Sequence, residues 1–312
     1  MRIGTGEFTY EWIEGWAQIP NTESARRGWS HTGMVTTRDR EIVTLHHGDP
    51  HLLYLDLNGQ IMRSVELDVE NAHDIVLVED NGTERLWIVD NLSGRVVKIE
   101  LNGQVVSELE QPNISIYRDG GSYAPTSLVV HESRFGGSGH IWLTDGYGSS
   151  AVHQYTDAGA YLTTITGDEG TAGHFDTPHG LFIDRRTTEP ELLIADRSNG
   201  QVQVYDLDGT FKRVFGQDFL YRPCCFEAIA DHLVILEHRA GRLTVIDSSN
   251  QLVCYLGENP GVENLQNYPN VSHKDLVTGK FNSPHGITSD HDGNLYIREW
   301  ITGGRTIKLN RS

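Results

Sequence analysis

Three histidines carry the chemistry this chain is best equipped to do. His73, His179 and His285 are separated by 106 residues at each step. Three imidazoles that leave one position open are how a catalytic zinc is held, and zinc so placed polarises an oxygen and acidifies what it binds. Two of the three sit in nearly the same peptide, Asp176-Thr-Pro-His179-Gly and Asn282-Ser-Pro-His285-Gly, whereas the first reads Asn71-Ala-His73-Asp. Iron, cobalt or manganese would accept the same three nitrogens. The opposing reading is that these histidines only hydrogen-bond water in a narrow polar channel.

A constant spacing implies repeated elements that position the three side chains. An apolar quartet ending in an acid or histidine recurs six times: Ile42–His46, Leu86–Asp90, Ile141–Asp145, Leu192–Asp196, Leu233–Glu237 and Leu295–Glu299. Each is followed by a second strand-like run, such as Gln201–Tyr205 or Arg242–Ile246, and then in most copies by a turn of the Asn-Gly or Asp-Gly kind, as at Asn58-Gly59 and Asp208-Gly209. Such dipeptides are strong hairpin signals because they tolerate positive φ. Six copies in 312 residues average 52 per unit, enough for four short antiparallel strands and their turns. A β-rich period of that size predicts an all-β, six-bladed β-propeller spanning 1–312 as a single domain; two packed β-sandwiches are the alternative. The last copy lacks an outer strand, and the alternating stretch from Phe8 to Trp16 is expected to supply it and close the sixth blade. The position opening each blade's first strand reads His31, His73, Thr126, His179, Cys224 and His285. The three phased histidines therefore fall on every second blade, about 120° apart around such a ring.

Composition excludes some partners. Twenty-five Lys and Arg against 43 Asp and Glu give a formal charge of −18, which opposes nucleic acid and anionic membrane surfaces. No apolar run is long enough to span a bilayer, and the N-terminus lacks the pattern of a secretory signal. Three cysteines, Cys224, Cys225 and Cys254, do not make a disulfide framework. These features point to a cytoplasmic protein.

From about His31 to Leu309 the chain resembles the peptidyl-α-hydroxyglycine α-amidating lyases, zinc-dependent six-bladed propellers related to NHL-repeat propellers. The resemblance rests on the Pro-His-Gly segments at His179 and His285, the run Thr144-Asp-Gly-Tyr147-Gly-Ser-Ser, and Ala195-Asp-Arg197-Ser-Asn-Gly. It implies that His73, His179 and His285 bind zinc, that Tyr147 is the catalytic tyrosine, and that Arg197 lines the same pocket. The family's other active-site arginine falls in a His-Arg-Gly-Asp stretch. Here that stretch reads His46-His47-Gly48-Asp49, so His47 takes its place. An imidazole is neither always charged nor bidentate, so this departure bears on the reaction. The family also has a structural calcium, partly held by an aspartate after its third zinc histidine. Gly286 stands there, and Asp74 after the first histidine is the candidate for a relocated Ca2+ site.

The implied reaction is cleavage of the carbon–nitrogen bond of an N-hydroxyalkyl amide or a related α-hydroxy acid derivative. Such a lyase must remove a hydroxyl proton and expel the amide nitrogen. A phenol beside a cation and an arginine is suited to accept that proton. Arg197 is suited to hold a substrate carboxylate, or alternatively pairs with Asp196 or Asp145. His46, His238 and Trp300 are candidates for binding the substrate, a small molecule or a peptide, with the two histidines and His47 at the pocket mouth. Tyr117, Arg118 and Tyr268, in two long connections, are candidates for substrate contact, as are Tyr123 and His273. The acids Asp90, Asp145, Asp196, Glu237 and Glu299 read as turn-holding carboxylates. His31 and Cys224 read as channel packing. Two other functions stay open: a metal-dependent hydrolase such as a lactonase, and a non-catalytic NHL-type binding platform.

Overall fold

The computed structural model describes residues 1–46, 48–49 and 51–312. It is an all-β, six-bladed β-propeller with little helix. By its internal contacts the chain divides into two compact units, Met1–Leu67 with Phe219–Ser312, and Asp68–Asp218. Each carries three blades, and within every blade neighbouring strands run antiparallel. No helix among the described residues is long and apolar enough to cross a membrane.

The second unit holds blades two to four. Blade three shows how sequence sets their layering. Its second and third strands, Ile141–Asp145 and Ala151–Tyr155, are buried at every position, while its fourth, Tyr161–Ile165, is largely exposed. A strand covered on both faces needs a continuous apolar run, which is why the repeats read as quartets and not as strict alternation. Trp142 of blade three packs with Leu181, Ile194 and Tyr205 of blade four, and Trp87 of blade two packs with Leu128 and Leu143 of blade three.

The first unit holds blades one, five and six. Blade six takes its fourth strand from the N-terminus: Phe8–Glu14 pairs with Arg305–Arg311, with Trp12 opposite Leu309. Arg2–Thr5 then adds a fifth strand that the sequence reading did not anticipate. A two-stranded pairing of Trp29–Ser30 with Ile301–Thr302 ties the segment before blade one to the end of blade six. The hairpin turns are held by carboxylates. In blade one Asp56 Oδ1 accepts from Asn58 N and Gln60 N at 2.8 and 2.9 Å. Gly59 closes that turn at φ 83°, and a Cβ there would lie 2.0 Å from the Trp16 carbonyl oxygen.

The expected acid ring is structural. Asp90 accepts from the backbone N–H of Glu70, Asn71, Leu92 and Ser93. Asp145 accepts from Ala124 and Ser149, Asp196 from Asp176, Glu237 from Tyr221 and Glu299 from Asn282. Each acid thereby fixes the segment that leads into the first strand of its own blade.

Candidate metal and proton-transfer site

A one-residue bulge aims the side chains that open the first strands. In blade two Ala72 faces Asp90 and Asp74 faces Val89, which leaves His73 as the extra residue. The same shift occurs between Pro178 and Leu181, between Pro223 and Cys225, and between Pro284 and Gly286. His179, Cys224 and His285 therefore occupy equivalent bulges. A bulge interrupts the ladder and re-aims one side chain, which a regular strand would instead place in the sheet face.

Within the second unit the bulges of blades two and four bring two histidines together. His73 and His179 are buried, and their ring centroids are 4.8 Å apart. His73 Nδ1 donates to the Thr126 carbonyl at 2.6 Å. A carbonyl only accepts, so the ring proton is on Nδ1 and Nε2 presents its lone pair. Thr126 Oγ1 and Thr144 Oγ1 lie 2.9 Å apart, and both sit within 3.1 Å of the His179 carbonyl oxygen. Blade three, which lacks a histidine of its own here, thus braces its neighbours through a threonine pair.

Tyr147 completes the arrangement. Its hydroxyl is 3.2 Å from His73 Nε2 and 3.1 Å from His179 Nε2. Arg197 Nη1 donates to the same oxygen at 3.2 Å, and the guanidinium lies 5.1 Å from the phenol ring centroid. Tyr147 is 38% exposed, so a phenol open to solvent stands over two buried imidazoles. The flanking glycines are required by close approach: a Cβ on Gly146 would lie 2.1 Å from the Pro178 carbonyl oxygen, and one on Gly148 2.1 Å from Asp145 Oδ1. Thr177 enters the His179 strand at φ 58°, the left-handed region. Gly146→Ala is therefore expected to cost about 1–3 kcal/mol and to lift the Tyr147 turn off the His179 strand, read as a lower unfolding temperature together with lost turnover.

In the first unit His285 is buried in its bulge, with the His31 ring 5.6 Å away between centroids. Burial, reinforced by the Arg298 guanidinium, pushes the His31 pKa down to about 4, so His31 is neutral at physiological pH. Trp300 lies 6.4 Å from His31, 6.0 Å from His238 and 5.6 Å from Trp29. His238 and Trp300, both expected to bind substrate, are thus neighbours. The Tyr268 hydroxyl donates to the His238 carbonyl at 2.8 Å and supports that residue from behind.

Other expected residues are engaged elsewhere. His46 Nδ1 accepts from Gly48 N and Asp49 N at 3.2 and 3.0 Å, so it holds its own loop as the acids do in other blades. Tyr117 donates to Asp145 Oδ2 at 2.9 Å and also lies 2.6 Å from His153 Nε2. That anchors the connection between blades two and three. Arg118 is exposed at the end of the short helix Ser115–Arg118. His47 lies outside the described residues. Asp74 Oδ2 accepts from Ser127 Oγ at 2.7 Å and Oδ1 from Ile75 N at 2.9 Å, and burial pushes its pKa up to about 7. Both carboxyl oxygens of Asp74 are thus engaged within blades two and three. Cys224 is buried, in no disulfide, and its thiol donates to the Leu236 carbonyl at 3.3 Å. A cavity of about 390 Å³ in the first unit, lined by Glu14, Ile19, Arg26, His273 and Arg305, takes in the substrate-contact candidate His273 but not His31, His238, His285 or Trp300.

Comparison with known proteins places this geometry in context. No family model matches the chain. It is 24% identical over 181 residues to the peptidyl-glycine α-amidating monooxygenases of Mus musculus and Rattus norvegicus. That match takes in 55% of this chain and 17% of each relative's own length, so this chain corresponds to only a small part of them. A streptogramin B lyase structure superposes with a TM-score of 0.63 at 15% identity, covering 99% of this chain and 100% of that one. Virginiamycin B lyase from Staphylococcus aureus with quinupristin gives 0.57 at 15% identity, over 96% of this chain and 99% of that one. The WD40 propeller domain of Doa1 gives 0.56 at 9%, over 91% and 79%. These structural likenesses establish the propeller fold.

Proposed function

We propose that this protein is a metal-dependent lyase that cleaves the carbon–nitrogen bond of an N-hydroxyalkyl amide or a related α-hydroxy acid derivative. His73, His179 and His285 would hold the ion, zinc by donor type. The residues fit such an ion: His73 commits its Nδ1 proton to Thr126, which turns the Nε2 lone pair inward, and both Nε2 atoms of the second unit converge on one phenol oxygen. When bound, the metal supplies a Lewis acid for the substrate hydroxyl.

The observation that carries the reading is the Tyr147 hydroxyl, set between two imidazole nitrogens and bonded to Arg197. As a phenolate, Tyr147 Oη takes the substrate's hydroxyl proton. The C–O pair becomes a carbonyl, the C–N bond breaks, and the amide nitrogen leaves with the proton that Tyr147 returns. Atoms and electrons balance without a second reactant, and the products are an amide and an aldehyde. Arg197 stabilises the phenolate and, from its partly exposed position, is placed to meet a substrate carboxylate. The distant similarity to the amidating monooxygenases supports the same reaction class.

The test is direct. N-benzoyl-α-hydroxyglycine incubated with the zinc-supplemented protein should yield benzamide and glyoxylate in equal amounts. Ester or lactone hydrolysis without glyoxylate release would replace the lyase reading with the hydrolase one.

A further inference from the structure

The chain shows how it treats a buried guanidinium, and one arginine breaks the pattern. Arg186, Arg242 and Arg305 are each largely buried, and each holds a carboxylate: Asp184 at 2.8 Å, Glu237 at 2.7 Å and Glu14 at 2.7 Å. Arg298 is more deeply buried than any of them, with no exposed surface. Its partners are neutral. Nε donates to Ser30 Oγ at 2.5 Å, and Nη1 donates to Thr44 Oγ1 and the Leu45 carbonyl. Nη2 has no hydrogen-bond partner among the described residues, and no carboxylate there forms an ion pair with this side chain.

A buried charge without a counter-ion is costly, and so is a buried donor without an acceptor. Arg298 is both at once, in a protein with eighteen excess negative charges available to pair it. Burial pushes its pKa down to about 9, and no acid offsets that effect. At the corresponding position of the apolar quartet the other blades carry Leu45, Val89, Thr144, Ala195 and Leu236, none of them charged. The arginine is therefore not demanded by the repeat.

We propose that Arg298 is the cationic anchor of an anion subsite in the first unit, one that takes the carboxylate of a small organic acid at Nη2. Because Nη1 is occupied by Thr44 and Leu45, contact is through one guanidinium nitrogen, which suits a small monoanion better than a bidentate phosphate. His31, which lies against His285 and Trp300, borders the subsite on the side of the proposed metal ligand. The subsite stands on Arg298 and does not depend on the lyase reading.

Sodium acetate titrated into metal-free protein, in chloride-free buffer at constant ionic strength, tests the subsite apart from any activity. A saturable heat of binding and a rise in unfolding temperature of about 2 °C or more are expected. Arg298→Lys should weaken the response at least tenfold, and Arg298→Met should abolish it. A wild-type protein that gives neither heat nor a shift overturns the proposal whatever the variants do. An unchanged response in Arg298→Met overturns it as well. Acetate binding with no glyoxylate release from the hydroxyglycine probe would leave the subsite standing and remove the lyase reading.

Discussion

Tyr147→Phe is expected to lower kcat by roughly 10²- to 10⁴-fold, the range spanned by loss of one positioned acid–base group. The ring stays, so its edge contacts with His73 and His179 and the guanidinium above it persist. Only the oxygen is lost, and with it the contacts to His73 Nε2, His179 Nε2 and Arg197. The two imidazole nitrogens that lose this partner are the ones proposed to face the metal, and the side chain that changes is itself 38% exposed. The unfolding temperature and metal content should therefore match wild type while turnover falls and KM changes little. Steady-state kinetics on the hydroxyglycine probe separate these quantities. A loss smaller than tenfold with full metal content would remove Tyr147 from the proton path.

His179→Ala is expected to weaken metal binding by more than the roughly 10- to 100-fold that loss of an outer partner costs, and to reduce turnover to background. The contacts of Thr126 and Thr144 are to the His179 carbonyl and not to its ring, so the bulge keeps its support when the side chain is removed. His31→Ala is the control. It removes a buried imidazole from the equivalent opening position of blade one, but one outside the proposed ligand set, and should leave metal affinity within a few-fold of wild type. Zinc competition with a chromophoric chelator measures both variants. Equal losses in the two would mean that any buried histidine here supports the fold and none is specific for metal.

The six blades were legible because apolar quartets and Asn-Gly or Asp-Gly turns are local signals, and the N-terminal closing strand because Phe8–Glu14 alternates with no blade of its own. The 106-residue phase of His73, His179 and His285 was legible for the same reason: a repeat preserves position. What was not legible depends on pairing across the sheet. The bulge that turns His73 out of its ladder leaves no trace in hydropathy, since it is defined by the register of Asp90 and Val89 opposite. The brace on His73 is a backbone carbonyl of Thr126, which no side-chain pattern reveals. Tyr117 resembles a loop aromatic awaiting a ligand until Asp145 and His153 are seen to hold its hydroxyl. His46 resembles a pocket residue until its nitrogen is found accepting from its own loop. Arg298 had a signal that went unused, a cation in a quartet position that is uncharged in five other blades.

The central claim is that the phased histidines hold a metal ion. Elemental analysis by mass spectrometry, on protein purified without chelator or added metal, tests it most directly. The account predicts about one transition-metal ion per chain, zinc foremost, removed by prolonged chelation and restored to the same stoichiometry on readdition. Background metal in the purified protein, together with failure to take up zinc, cobalt, iron or manganese on readdition, would contradict it.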